Sequence, residues 1–175
     1  MALSQEDNLL IQSYFTTAFL FELNNNDFLN SEFYKSLSFG DNYLKENLPT
    51  VGIDNQGTLL MGLYTMLVLP KEILSQKYPT EFNGLNNVID TIQSASKSDY
   101  KSDSSGIDYI RHIRNSVAHA KVEFVPTISV TFTDQNSKGE ICTITIPLEK
   151  VGVFLTALQS VFMKYIKVLQ TNSTL

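Results

Sequence analysis

The residue types suited to acid–base chemistry and to phosphate binding are concentrated in one short stretch of this 175-residue chain. Both arginines and both histidines of the protein, Arg111, His112, Arg114 and His119, lie within nine residues. A histidine can exchange a proton near neutral pH, and a guanidinium presents a planar fork that pairs with phosphate through two hydrogen bonds. Together they could act on a phosphodiester, where one group moves a proton and the other stabilises the charge that develops on the phosphate.

The spacing of these residues on a helix predicts how they can meet. Ile113 and Val117 mark the buried face of the helix, and Arg114 lies at its shoulder. Asn115 and His119, four residues apart, share a surface stripe, whereas Arg114 and His119 point about 140° away from each other. For Arg114 and His119 to form one site, the helix must loosen before His119, Arg114 must reach round, or a second subunit must complete the site.

The charge distribution allows a nucleic-acid partner only at this stretch. The chain has a net charge of −5 and a sequence pI of about 5.0, so its overall field repels a polyanion. Residues 97–121 carry five basic and three acidic side chains, and the remainder carries eight basic and fifteen acidic ones. A weakly positive stripe on an acidic body is compatible with a phosphate ligand.

The run from Arg114 to His119 matches the pattern arginine–polar–x–x–x–histidine of the HEPN family (higher eukaryotes and prokaryotes nucleotide-binding). The surrounding string from Tyr109 to Phe124, followed by a hairpin and a closing helix, resembles plasmid and genomic bacterial HEPN proteins. The resemblance implies a metal-independent endoribonuclease without a cofactor. It also implies a homodimer with one cleft at the two-fold interface, RNA as substrate, and an antitoxin protein as a possible partner.

The resemblance also implies roles for individual residues. His119 would take the proton from an RNA 2′-OH, Arg114 would hold the scissile phosphate, and Asn115 would orient His119 or a phosphate oxygen. Such enzymes include toxins of toxin–antitoxin pairs and antiviral RNases. The alternative interpretation is structural: His119 would be a surface histidine near a helix C-terminus, and Arg114 would pair with an acidic side chain.

Three further residues are candidates for RNA or phosphate binding. These are Arg111, His112 and Lys121, which flank or precede the motif. Arg111 could equally pair with Asp108, three residues earlier on the same helix. No metal-ligating residue is expected, because two histidines and the single cysteine, Cys142, leave little scope for a metal site.

The elements that must position these residues are mainly helical. The pattern predicts one HEPN-like domain over residues 1–175, a bundle of five or six helices with a small antiparallel β-hairpin before the last helix. Ser4 and Asp7 resemble a helix cap. The expected segments are two short helices in 28–48, a loop from Pro49 to Gly57, a central helix over 59–69, an amphipathic helix from Thr80 to Ile92, a loop or frayed helix end over 94–106, the motif helix over 107–120, a hairpin over 127–146 and a final helix from Val151 to Leu169.

The sequence indicates where in the cell the protein is located, and it leaves three functions open. The N-terminus lacks the positive flank of a signal peptide, and the apolar run from Leu59 to Leu69 is shorter than the roughly 20 residues that span a bilayer. We therefore expect a cytoplasmic protein without membrane contact. Its function is an HEPN-type RNase, a non-catalytic HEPN-like protein that binds RNA or nucleotides or serves as a dimeric scaffold, or a purely structural helical protein.

Overall fold

The computed structural model describes residues 4–70, 74, 75 and 77–173. Among these residues the chain is mainly helical, as the sequence predicts, but it has seven α-helices instead of five or six and a four-stranded antiparallel sheet instead of a single hairpin. The helices are α1 (Gln5–Asn25), α2 (Glu32–Ser36), α3 (Asn42–Val51), α4 (Gln56–Leu63), α5 (Pro79–Ile92), α6 (Tyr109–Ala118) and α7 (Leu148–Ser173). The strands are β1 (Ala95–Ser98), β2 (Val122–Val125), β3 (Ser129–Gln135) and β4 (Ile141–Pro147).

Side-chain caps begin the first four helices. Ser4, Ser31, Asp41 and Asn55 each accept a hydrogen bond from a backbone N–H of the first turn that follows. These groups satisfy N–H donors that have no partner inside a helix. The predicted cap at Ser4 is confirmed, since its Oγ lies 3.0 Å from the Asp7 nitrogen.

The predicted loop from Pro49 to Gly57 is shorter than expected and covers only residues 52–55, because α3 continues through Pro49 to Val51 and α4 begins at Gln56. A proline inside a helix leaves the carbonyl four residues earlier without its N–H partner. Here the Tyr34 hydroxyl donates to that carbonyl, the Lys45 oxygen, at 2.8 Å. A side chain from α2 thus replaces the missing backbone donor. The two short helices expected in 28–48 are present as α2 and α3.

The sheet is larger than the predicted hairpin. The strand order is β1-β4-β3-β2, so the hairpin of β3 and β4 lies between two further strands. The expected loop over 94–106 instead contains β1, which pairs antiparallel with β4, and a 3-10 turn at Lys101–Asp103. The sequence of β1, Ala-Ser-Lys-Ser, has no apolar alternation because this edge strand leaves its side chains half-buried or exposed.

One hydrophobic cluster joins the inner face of the sheet to the helices. It combines Phe132 and Ile144 of the sheet with Leu63 of α4, Ile113 of α6 and Phe162 of α7, each at most 1 % exposed. After α4 the chain forms a π-helical turn at Tyr64–Val68, in which Thr65, Met66 and Leu67 are buried. Tyr64 is 45 % exposed, so the segment predicted as a central helix is only partly buried. The motif helix α6 is therefore packed between core helices on one side and β3 on the other.

Helix α7 is apolar along most of its length. Between Leu148 and Thr171 it is long and apolar enough to cross a membrane by length and composition alone. Its buried side chains, including Phe154, Leu158 and Tyr165, belong to the protein core. A core helix passes the same test, so the expectation of no membrane contact stays a prediction.

Candidate functional site

Helix α6 begins at a hydrogen-bonded corner against α5. The Asp108 side chain accepts from the Arg111 nitrogen at 3.3 Å and so caps the helix. Asn86 of α5 accepts from the Ile110 nitrogen at 2.9 Å and donates to Asp108 at 3.3 Å. These bonds hold the start of the motif helix in register with α5.

Helix α6 ends just before His119, in a tight C-terminal turn. The Lys121 nitrogen donates to the Ser116 oxygen at 2.8 Å and the Ala120 nitrogen to the Val117 oxygen at 3.2 Å. This is the Schellman pattern, with Ala120 at φ 52° in the left-handed position that glycine usually occupies. His119 is the C-cap residue, and its exposed ring makes no hydrogen bond within the described part of the chain.

Four ionisable side chains form an ion cluster behind the motif, and all of them except the 30 % exposed Arg111 side chain are buried: Arg111, His112, Asp103 and Asp134. His112 has no exposed side-chain surface, and its two ring nitrogens lie 2.7 Å from Asp134 Oδ2 and 2.8 Å from Asp103 Oδ2. Arg111 Nη2 lies 2.6 Å from Asp103 Oδ1. The two carboxylates thus hold the imidazole between them, and Asp103 also pairs with the guanidinium.

The ion cluster reaches the motif through Asn115. The Asn115 amide nitrogen donates to Asp134 Oδ2 at 3.1 Å, which turns the amide oxygen towards Arg114. That oxygen accepts from Nη2 of Arg114 at 2.9 Å and from its Nε at 3.3 Å. Asp134 therefore fixes the orientation of the first two side chains of the motif.

The pKa shifts at the cluster follow from its hydrogen bonds. Burial alone raises the pKa of Asp134, but hydrogen bonds from His112, Asn115 and Tyr100 outweigh this effect and lower it below its usual value. The same balance, with bonds from Ser98 and His112, lowers the pKa of Asp103. Burial and the bond to Asp134 raise the pKa of Tyr100 to about 12, so this phenol stays neutral.

The cluster also includes a set of potential metal ligands. Asp103, His112 and Cys142 offer ligand atoms that lie within 4.8 Å of one another. Burial raises the pKa of the Cys142 thiol to about 11, whereas a metal requires the thiolate. The Arg111 guanidinium already lies 3.0 Å from His112 Nε2 and bonds to Asp103. Its positive charge therefore lies where a metal ion bound by His112 and Asp103 would have to be.

A small cavity opens beside Arg114, between α5 and α6. Its volume is about 210 Å³. Its lining includes Arg111 and Arg114 of α6 together with Phe82, Asn83 and Asn86 of α5. Arg111 and Arg114 of the motif helix thus line a cleft that is open to solvent.

A family model described as HEPN pEK499 p136 matches residues 1–169, nearly the whole chain. The chain belongs to the HEPN family. No curated protein and no solved structure gave a significant match. The match includes the arginine–asparagine–x–x–x–histidine motif and the elements on both sides of it.

The structure of this HEPN protein brings some of the predicted site residues together and separates others. Asp103 joins Arg111 to His112, and Asp134 joins His112 to Asn115, which bonds to Arg114. His119 and Lys121 instead lie exposed in the turn that follows α6. The expected pairing of Arg111 with Asp108 is present at 4.0 Å, but the shorter pair is with Asp103.

One predicted role does not fit the structure. His112 was expected to contact phosphate, but it is completely buried and both of its nitrogens face carboxylates. It belongs to the ion cluster behind the motif and not to the surface of the protein.

Sequence reasoning missed Asp103 and Asp134. Asp134 lies near the end of β3 and continues the inward positions of Val130 and Phe132. A charged residue at an inward position of an alternating strand is the signal that could have identified it. No comparable signal marks Asp103, which lies in a polar segment.

Proposed function

We propose that this protein is a metal-independent HEPN-type endoribonuclease that acts as a homodimer in the cytoplasm, in a toxin–antitoxin or antiviral role. His119 removes the proton from an RNA 2′-OH, and the 2′-oxygen forms a bond to the neighbouring phosphorus. The bond from phosphorus to the 5′-oxygen breaks, and this oxygen receives the proton. The products are a 2′,3′-cyclic phosphate and a 5′-OH, so the reaction consumes no water in this step.

The observation that carries the proposal is the fixed Arg114 guanidinium. Asn115 accepts two of its N–H groups, and Asp134 holds Asn115 in turn. An arginine held in this way at the wall of an open cavity is a preorganised donor for a phosphate that gains charge in the transition state. In this scheme Asp134 is a positioning residue, because it touches Asn115 and lies away from the cavity.

The state of His119 supports a site completed by a second copy. Its ring is exposed and makes no hydrogen bond within the described residues, so it is available to a substrate or to another subunit. The Schellman turn fixes its backbone at the end of α6. Two copies related by a two-fold axis would bring each motif helix against the other and place two such histidines in one cleft.

A non-catalytic HEPN protein that binds RNA or nucleotides, or forms a dimeric scaffold, is the second candidate. The net charge of −5 favours its nucleotide-binding or scaffold form, because proteins that bind RNA strongly through phosphates need a larger positive surface. In that case Arg114 would contribute to binding, and His119 would have no chemical role.

Cleavage of labelled single-stranded RNA in the presence of EDTA tests the proposal. We expect the wild-type protein to cut, to leave 2′,3′-cyclic phosphate ends, and to lose cutting in His119→Ala with unchanged circular dichroism. Lys167→Ala, an exposed change on α7, is the matched control and should cut normally. Cutting that persists in His119→Ala, or that needs a divalent ion, would exclude this mechanism. Binding without cutting would favour the second candidate.

A further inference from the structure

The cavity beside Arg114 has the size of a site for one small ring system. Its volume of about 210 Å³ lies below the range of about 300–1,000 Å³ that is usual for drug-sized ligands. Leu67, Pro79 and Phe82 give it an apolar wall, and Asn83 and Asn86 add two amides. This combination of an apolar wall with a few polar groups suits a nucleobase.

The two amides differ in what they can still bind. Asn86 is already engaged, since it accepts from the Ile110 nitrogen and donates to Asp108. Asn83 is exposed, and its side chain makes no hydrogen bond within the described part of the chain. A free asparagine amide presents one acceptor beside two donors, which is the arrangement that pairs with the edge of a base.

A second, independent feature points to a ligand here. The Nε of Arg111 is buried and has no hydrogen-bond partner among the described residues, and the nearest carboxylate oxygen, of Asp108, is 4.0 Å away. Buried donors in native proteins nearly always have a partner. Arg111 lines the cavity, so this unpaired donor belongs to the cavity wall, and an acceptor atom of a bound nucleotide reaches it only when the side chain moves.

We infer that this cavity binds one nucleobase of the RNA, the base next to the phosphodiester that Arg114 holds, and that Asn83 determines which base is accepted. The inference rests on the proposed function, because it assigns Arg114 to the scissile phosphate. The connection is geometric: Arg114 lines the cavity from α6 and Asn83 lines it from α5. A nucleotide whose phosphate meets Arg114 therefore has its base within reach of the cavity.

Cut-site mapping on a pool of randomised single-stranded RNA tests the inference. We expect the wild-type protein to prefer one base next to the cut by about tenfold, the size of one well-made pair between an amide and a base. Asn83→Ala should reduce this preference to about twofold or less. Asn83→Asp should change the preferred base, because a carboxylate only accepts hydrogen bonds. Asn87→Ala, an exposed change one turn further along α5, is the control and should keep the wild-type profile.

The outcomes separate this inference from the proposed function. Cutting that depends on His119, with no base preference or with the same profile in both Asn83 variants, would overturn the inference and leave the RNase intact. If the protein cuts no RNA, calorimetric titration with each of the four nucleoside monophosphates tests the cavity directly. Binding that Asn83→Ala weakens about tenfold and Asn87→Ala leaves unchanged would then support the site. Absence of binding, or equal binding by all variants, would overturn it.

Discussion

Replacing Asp134 with asparagine tests the buried ion cluster while almost preserving the shape of the side chain. Asp134 is 4 % exposed and accepts from His112 at 2.7 Å and from Asn115 at 3.1 Å. Hydrogen bonds to a charged group contribute about 1.5–3 kcal/mol each, and removal of one partner from a buried ion pair costs about 3–5 kcal/mol. We therefore expect Asp134→Asn to lower the free energy of unfolding by about 3–5 kcal/mol, a large part of a typical total of about 5–15 kcal/mol.

Urea unfolding at pH 7, followed by far-ultraviolet circular dichroism, measures this loss. A double-mutant cycle of His112→Ala and Asp134→Ala isolates the pairwise contribution, which should reach about 1–3 kcal/mol. Glu123→Gln, an exposed change on the neighbouring strand β2, should alter stability by less than about 0.5 kcal/mol. A pairwise contribution below about 0.5 kcal/mol would refute the reasoning, because it would mean that His112 and Asp134 are held by packing alone.

The pH dependence has a defined sign. The pKa of Asp134 is lowered in the folded protein, so its charge stabilises the fold above the ordinary carboxyl pKa of about 3.9. That stabilisation is lost as the pH falls from this value through the lower pKa of the folded state. The stability difference between the wild-type protein and Asp134→Asn should therefore be full at pH 7 and narrow below about pH 4. A difference that stays constant down to pH 3 would contradict the assignment.

Three further predictions follow from local features. Ala120→Gly should stabilise the protein against urea by about 1 kcal/mol, because glycine adopts the left-handed conformation without steric cost; lower stability would contradict the Schellman assignment. Tyr34→Phe should lower the free energy of unfolding by about 1–3 kcal/mol because it leaves the Lys45 carbonyl unpaired. Adding Pro49→Ala should recover part of this loss, because alanine restores an N–H donor for that carbonyl; additive effects of the two substitutions in a double-mutant cycle measured by urea unfolding would contradict this pairing. Tyr100 should form its phenolate only at about pH 12, as measured by the difference in phenolate absorbance between the wild-type protein and Tyr100→Phe during a pH titration; a difference that already develops near pH 10 would refute its burial against Asp134.

The elements with local signals could be predicted from the sequence. Periodicity places the amphipathic helix α5, the motif helix α6 and the hairpin of β3 and β4 where the structure has them. The Ser4 cap is likewise present where its residue spacing indicates. Each depends on residues a few positions apart, whose hydrogen bonds and apolar faces are determined within the element itself. The HEPN motif belongs to the same class, because its six residues are contiguous in the chain.

The rest of the site depends on contacts between distant parts of the chain. Asp103 and Asp134 lie 9 and 22 residues from His112, and neither belongs to a motif that could be read along the chain. Strand β1 has no strand-like pattern and forms because β4 offers a free edge of backbone donors and acceptors. The sequence by itself determined which side chains could do the chemistry. Only the tertiary structure decided that His112 is buried as a support and that Arg114 is oriented through Asn115, because burial and charge pairing arise only when separate elements pack together.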